Sequence, residues 1–199
     1  MQDNIISFPS KQDFHRYLVK QVKAEIGEGS EGIVYLTHNN ETIKEMFINN
    51  YTYPANNILM ASDVKLDSFL FPKKLFLVNN CIIGYTADYS PNIFKFCDGD
   101  IHDIDLIALV SAGYKMIRDI KVLTDMKYVL YDMPNNLLFD GKSLKAIDTL
   151  QYFKKDTVTL KENINILRHA LINALDYHDE YCSIHDKDNY TRILNRAFK

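Results

Sequence analysis

The sequence predicts an α+β fold, and three observations predict it. Short apolar runs with strand-type alternation, parted by Asn- or Gly-containing turns, fill most of the first ninety residues. After Asp103 the apolar period changes to that of a helix. A glycine string, G-x-G-x-x-G-x-V from Gly27 to Val34, stands between two strand patterns. A dinucleotide-binding turn would open into a helix, so that class of fold is excluded.

The elements follow in order. "DFHRYLVKQV" is a short amphipathic piece before the glycine string, and residues 22 to 48 alternate as antiparallel strands, with Ile33–Leu36 and Thr42–Phe47 flanking the turn "THNNE". Pro54 opens an expected helix over 54–68, with Ile58, Leu59, Met60, Val64 and Leu66 as its apolar residues. "KLFLV" and "CIIGYTADY" are strands joined at Asn79-Asn80. Ile104, Ile107, Val110, Tyr114, Ile117 and Ile120 recur at helical spacing and are the expected core face of a long helix. "KYVLYD", a hairpin turning at Asp140-Gly141, a second amphipathic helix from about Leu160 to Tyr177 and a polar tail holding "RILNRAF" complete the chain.

At 199 residues, 47% hydrophobic and 25% charged, the chain can bury the core of one domain or of two small lobes. A net charge of -3 gives no general attraction to nucleic acid or to an acidic membrane. Cys81, Cys97 and Cys182 lie far apart with no C-x-x-C pair, which fits reduced thiols and not a metal finger. No run of 18 uncharged apolar residues and no signal peptide stand out. The expected setting is the cytoplasm, or delivery to another cell by a route that leaves no classical signal.

Residues suited to phosphate chemistry recur along the chain. Lys44, in "TIKEM" twelve residues after Gly32, falls on the strand beside the glycine hairpin, where an ammonium can reach the α- and β-phosphates of a nucleotide under the turn. "YDMPNNLLFDGKSLKAIDT" supplies Asp132, Asn135 or Asn136, and Asp148, hard oxygen donors of the kind that hold Mg²⁺ beside phosphates. Each has a plainer use as well. A glycine bend, a solvated lysine and an Asp-Pro-Asn turn would look the same taken singly.

In this order the residues resemble the protein kinase superfamily. Gly27, Gly29, Gly32 and Val34 resemble its glycine-rich loop, Ile43-Lys44 its V-A-I-K strand, Leu130-Tyr131-Asp132 to Asn136 its H-R-D-x-x-x-x-N loop, and Ile147-Asp148-Thr149 its D-F-G. The resemblance implies a two-lobed fold: an N-lobe of about 20–92 with an antiparallel sheet and one helix, and a reduced, mainly helical C-lobe of about 93–199. It implies ATP and Mg²⁺ as cofactors, Asp132 and Lys44 as catalytic residues, and Gly27, Gly29, Gly32, Val34 and Lys44 around the nucleotide. Asn136 and Asp148 would hold the metal, and the acceptor would be a hydroxyl on a protein, with an activating protein partner as another expected contact.

The departures are specific. Asp132 to Asn136 is four steps where the family has five, Leu130 stands at the usual histidine, and Thr149 and Leu150 replace the phenylalanine and glycine of D-F-G. No glutamate occurs from Phe47 to Ala87 to pair with Lys44, leaving Asn57, Asp63 or Asp67 as substitutes. Only 51 residues follow Asp148, too few for a peptide-docking platform, and in outline the chain is similar to minimal kinase-like effectors of bacteria. Two alternatives stand beside the kinase reading. One is a pseudokinase used as a binding module. The other is a small-molecule kinase of the aminoglycoside or choline type, with a cationic acceptor held by Asp98, Asp100, Asp103 and Asp105.

Overall fold

Ser10 starts the first helix because its side chain can cap it: Oγ accepts from the Asp13 N–H at 3.2 Å. In the computed structural model, which describes residues 4–47, 64–91, 94–95, 104–182 and 187–199, helix α1 (Lys11–Gln21) follows strand β1 (Ile5–Phe8). Phe14 and Leu18, one turn apart, lie on the face it buries against Ile43, Phe76, Val78 and Ile83. Removing two such side chains from water stabilises by about 2 kcal/mol each. β-branched Val22 is extended and ends the helix.

The chain divides into two compact units, Met1–Lys65 with Phe71–Pro91, and Leu66–Leu70 with Asn92–Lys199. The first holds α1 and a six-stranded sheet of β1, β2 (Val22–Gly29), β3 (Gly32–Thr37), β4 (Glu41–Met46), β5 (Lys74–Val78) and β6 (Cys81–Asp88), ordered β1-β5-β6-β4-β3-β2. Asn79 and Asn80, with φ of 51° and 60°, make the two-residue turn between β5 and β6. The strands expected from the pattern are present and antiparallel to one another, but the sheet as a whole is mixed, because β1 pairs in parallel with β5. Residues Leu75–Val78 are apolar and buried, and β1 gives their edge backbone a partner that solvent would otherwise supply.

The helix expected over 54–68 is not found where it can be seen: 54–63 lie outside the described residues, and 64–68 are not helical. The helix this unit does show, α1, precedes the glycine turn.

The second unit carries α2 (Leu106–Asp125), α3 (Leu160–Cys182) and α4 (Lys187–Ala197), with short strands β7 (Phe94–Lys95), β8 (Tyr128–Val129), β9 (Leu137–Phe139), β10 (Leu144–Ala146) and β11 (Phe153–Lys154). β10-β9-β7 form one small sheet and β11-β8 another. The β9–β10 turn is the expected one at Asp140-Gly141. Asp140 Oδ1 accepts from the N–H groups of Lys142 and Ser143, and Gly141 has φ 85°. Thr159 and Glu162 form a capping box at the start of α3.

Two expectations are corrected here. The buried face of α2 is Leu109, Ala112, Gly113, Met116, Ile120 and Leu123, while Ile107 is 82% exposed and Tyr114 52%. Both rows have helical spacing, and the choice between them is made by packing. Small residues at Ala112 and Gly113 admit Phe198, whose ring lies 2.4 Å from where a Cβ on Gly113 would stand. The polar tail is helix α4, which buries Leu194 and leads to buried Phe198, and Tyr114 Oη donates to Ala197 O at 2.9 Å. Its polar composition hides an apolar stripe of Tyr190, Ile193, Leu194 and Ala197.

Candidate functional site

Within the first unit the three glycines divide into two kinds. β2 and β3 form a hairpin in which Gly29 faces Gly32 across the turn Ser30-Glu31. A Cβ on Gly32 would lie 2.0 Å from Glu45 O, so only glycine lets β3 and β4 approach this closely. Cβ atoms on Gly27 or Gly29 would meet nothing within 4 Å. Their absent side chains leave open space above the exposed strand β2.

Gly27, Val34, Lys44 and Tyr85 are cross-strand partners in one row over β2, β3, β4 and β6. The Lys44 side chain is 12% exposed, and its Nζ is 3.5 Å from Glu31 Oε2 at the tip of the glycine turn. Glu31 is thus a carboxylate partner that sequence reasoning missed, having sought one downstream. A Glu inside the glycine string was the available signal. Of the substitutes considered, Asn57 and Asp63 lie outside the described residues. Asp67 belongs to the second unit, where its carbonyl accepts from Lys145 Nζ. Glu45, next in β4, accepts from Tyr35 Oη at 3.3 Å and sits 3.1 Å from His15 Nε2. Burial, then the Glu45 charge, raises the Tyr35 hydroxyl above the usual tyrosine range, so it stays a donor.

Within the second unit the fold brings Asp132, Asn135, Asn136 and Asp148 together. Asn136 Nδ2 donates to Asp132 O at 2.9 Å and approaches its Oδ2 at 3.4 Å, while Asn135 Nδ2 donates to Oδ1 at 2.9 Å. Asn136 O in turn accepts from Ile147 N at 2.9 Å, which ties the turn to the residue before Asp148. Asp132 and Asp148 both adopt left-handed backbone, with φ of 48° and 57°. That conformation costs non-glycine residues on the order of 1 kcal/mol or more, and Asp tolerates it better than most.

Two further residues set this cluster. Asn163, fully buried on α3, donates from Nδ2 to Thr124 Oγ1 and Tyr128 O, each at 2.9 Å, and accepts from Leu130 N at 3.1 Å. It fixes the strand that leads into Asp132. Tyr152 is fully buried behind the 3₁₀ turn Thr149–Gln151, and its N–H donates to Thr149 O at 3.2 Å. Among the described residues its hydroxyl has no hydrogen-bond partner. Burial first, then the charges of Asp148 and Asp132, push that hydroxyl far above the ordinary tyrosine range.

Among the described residues no three His, Cys, Asp or Glu side chains gather to hold an ion. The donors present nevertheless suit a hard cation. Asn136 spends its amide nitrogen on Asp132, which leaves its side-chain oxygen as an acceptor, its backbone carbonyl is tied to Ile147 next to Asp148, and Mg²⁺ commonly takes one or two protein oxygens and completes its shell with water and phosphate. No protein-family model matches the chain, and no curated protein matches it.

Proposed function

We propose that this chain is a minimal kinase-like protein that binds ATP with Mg²⁺ and transfers the γ-phosphoryl group to a hydroxyl on a protein. The observation that carries the reading is the cluster of Asp132, Asn136 and Asp148, seventeen residues from end to end, in which the Asn136 side chain bonds Asp132 and its backbone carbonyl bonds Ile147 beside Asp148. In this reading Gly27 and Gly29 leave room for phosphates, Val34 lies against the nucleotide, and Lys44 offsets the charge of the α- and β-phosphates. Asn136 and Asp148 would hold Mg²⁺, which when bound would supply charge neutralisation. Asp132 orients the acceptor hydroxyl and takes its proton as the new O–P bond forms and the bond to the leaving ADP oxygen breaks.

Incubation with γ-labelled ATP and Mg²⁺ tests this directly. Label transferred to the chain or to a protein substrate, and lost in Lys44→Met and Asp148→Asn, is the expected result. Transfer independent of both residues, or none at all on a broad panel, would sink the enzyme reading.

A second reading, a pseudokinase that serves as a binding module, is favoured by two observations. Leu130 is buried at the position of the missing histidine, and both oxygens of Asp132 already accept from amides that an acceptor hydroxyl would have to displace. Stabilisation by ATP and Mg²⁺ without turnover would select it; no stabilisation would point to a nucleotide-free module. The small-molecule reading gains nothing. Asp98, Asp100 and Asp103 lie outside the described residues, and Asp105 caps α2 by accepting from the N–H groups of Ile107 and Ala108.

A further inference from the structure

Glu31 is the acid that the glycine hairpin sets against Lys44, and it takes a contact that a nucleotide at this lysine needs. The turn that carries it is held in place. Phe47 N–H donates to Glu31 O at 2.9 Å, which stitches the tip of the hairpin to the end of β4, the strand that bears Lys44. Gly32, the next residue, holds β3 and β4 so close that a Cβ there would lie 2.0 Å from Glu45 O. The part left to move is the side chain. Glu31 is 45% exposed and can turn its carboxylate into water, whereas the Lys44 side chain is 12% exposed and enclosed.

The contact is also of an exchangeable kind. Lys44 Nζ and Glu31 Oε2 are 3.5 Å apart, longer than the roughly 2.7–2.9 Å of a tight charge-assisted bond. A half-exposed pair at that distance is screened by solvent and weak. A carboxylate brings one negative charge to Lys44; a phosphate chain brings more, on several oxygens, and competes for the same ammonium.

We propose that Glu31 is an autoinhibitory contact, its carboxylate standing in for a phosphate at Lys44 until a nucleotide displaces it. The inference rests on the reading that Lys44 meets nucleotide phosphates, and adds to it a built-in competitor carried by the glycine turn itself. On binding, Glu31 rotates into solvent while Lys44 and the backbone of the turn stay where they are.

The test is a double-mutant cycle on the full chain with Glu31→Gln, Lys44→Met and the pair, titrated with a non-hydrolysable ATP analogue and Mg²⁺. Calorimetry reads the affinity, and ligand-induced thermal shift at millimolar analogue reads it where binding is weak. Glu31→Gln is expected to bind about two- to fivefold more tightly than the parent, with an unchanged urea midpoint without ligand. Lys44→Met is expected to bind more weakly than the parent, and adding Glu31→Gln to it is expected to restore nothing. An analogue bound by the parent, weakened by Lys44→Met and indifferent to Glu31→Gln overturns the autoinhibitory contact and leaves the nucleotide reading standing. The same gain from Glu31→Gln in the Lys44→Met background overturns it too, since simple repulsion of the phosphates would then account for the effect. A parent and a Glu31→Gln variant that both fail to bind the analogue overturn the two readings together.

Discussion

Replacing the glycines of the hairpin one at a time separates a fold requirement from a ligand requirement. In Gly32→Ala the new Cβ would stand 2.0 Å from Glu45 O, more than an ångström inside normal contact, and the obstacle is backbone. β3 and β4 must part where Gly32 faces Met46 and Ile33 faces Glu45. Overpacking of this kind costs about 1–3 kcal/mol, and each strained ladder bond about 1 kcal/mol more, so a loss of about 3 kcal/mol is expected. For a chain of this size that lowers Tm by roughly 6–12 °C. Gly27→Ala and Gly29→Ala place Cβ in open space, so the folded chain should lose nothing and gain up to about 1 kcal/mol from a less flexible unfolded state. The same space is where the phosphates are proposed to lie. At a ligand concentration of about 100 Kd, binding stabilises by about 2.7 kcal/mol, and a tenfold weaker variant keeps about half of that. Urea unfolding with and without a non-hydrolysable ATP analogue and Mg²⁺ reads both effects. Full ligand stabilisation in the Gly27→Ala/Gly29→Ala double variant would refute the lid; an unchanged midpoint for Gly32→Ala would refute the strand geometry.

Other perturbations give equally definite outcomes. Glu31→Gln removes the carboxylate beside Lys44; because Glu31 is 45% exposed and the pair is screened, nucleotide affinity by calorimetry should rise by only about two- to fivefold. Asn163→Leu removes the side-chain partner of Leu130 N and Tyr128 O, while the Thr124 hydroxyl still donates to Ile120 O, at about 1–3 kcal/mol for each group that finds no water, so a loss of about 3 kcal/mol in urea unfolding is expected. Hydrogen bonds from the Thr159 backbone and hydroxyl hold the Glu162 carboxyl below its ordinary value of 4.5. The folded chain therefore binds fewer protons there, and this contribution to stability is complete above that value and is lost as pH falls through the lowered one. Glu162→Gln should flatten the acid side of the urea-midpoint curve and leave its neutral slope unchanged. Gly113→Ala meets the ring of Phe198 at 2.4 Å and should destabilise by about 1–3 kcal/mol, read as a fall in the urea midpoint.

Wherever local chemistry decides, the chain's elements were legible in advance. Asn79-Asn80 and Asp140-Gly141 turn because their residues tolerate positive φ, and Lys44 stands on a strand because its neighbours alternate. The grouping of Asp132 with Asn136 was legible because only three residues separate them in a turn. What depends on contact between distant segments was not legible. The α2 sequence carries two rows of helical period, and packing against segments far away in the chain, Phe198 at Gly113 among them, selects the one that is buried. Strand β1 joins β5 through an edge that no local pattern announces. Glu31 as the partner of Lys44 and the stranded hydroxyl of Tyr152 are likewise products of packing. The sequence by itself determined the strands around the glycine hairpin, the Asn79-Asn80 and Asp140-Gly141 turns and the two long helices, since propensity, turn chemistry and period act within a few residues. Tertiary structure alone decided which face is buried, which carboxylate meets Lys44 and which tyrosine hydroxyl is buried without a partner among the described residues, because those are settled by space and charge shared between segments far apart in the chain.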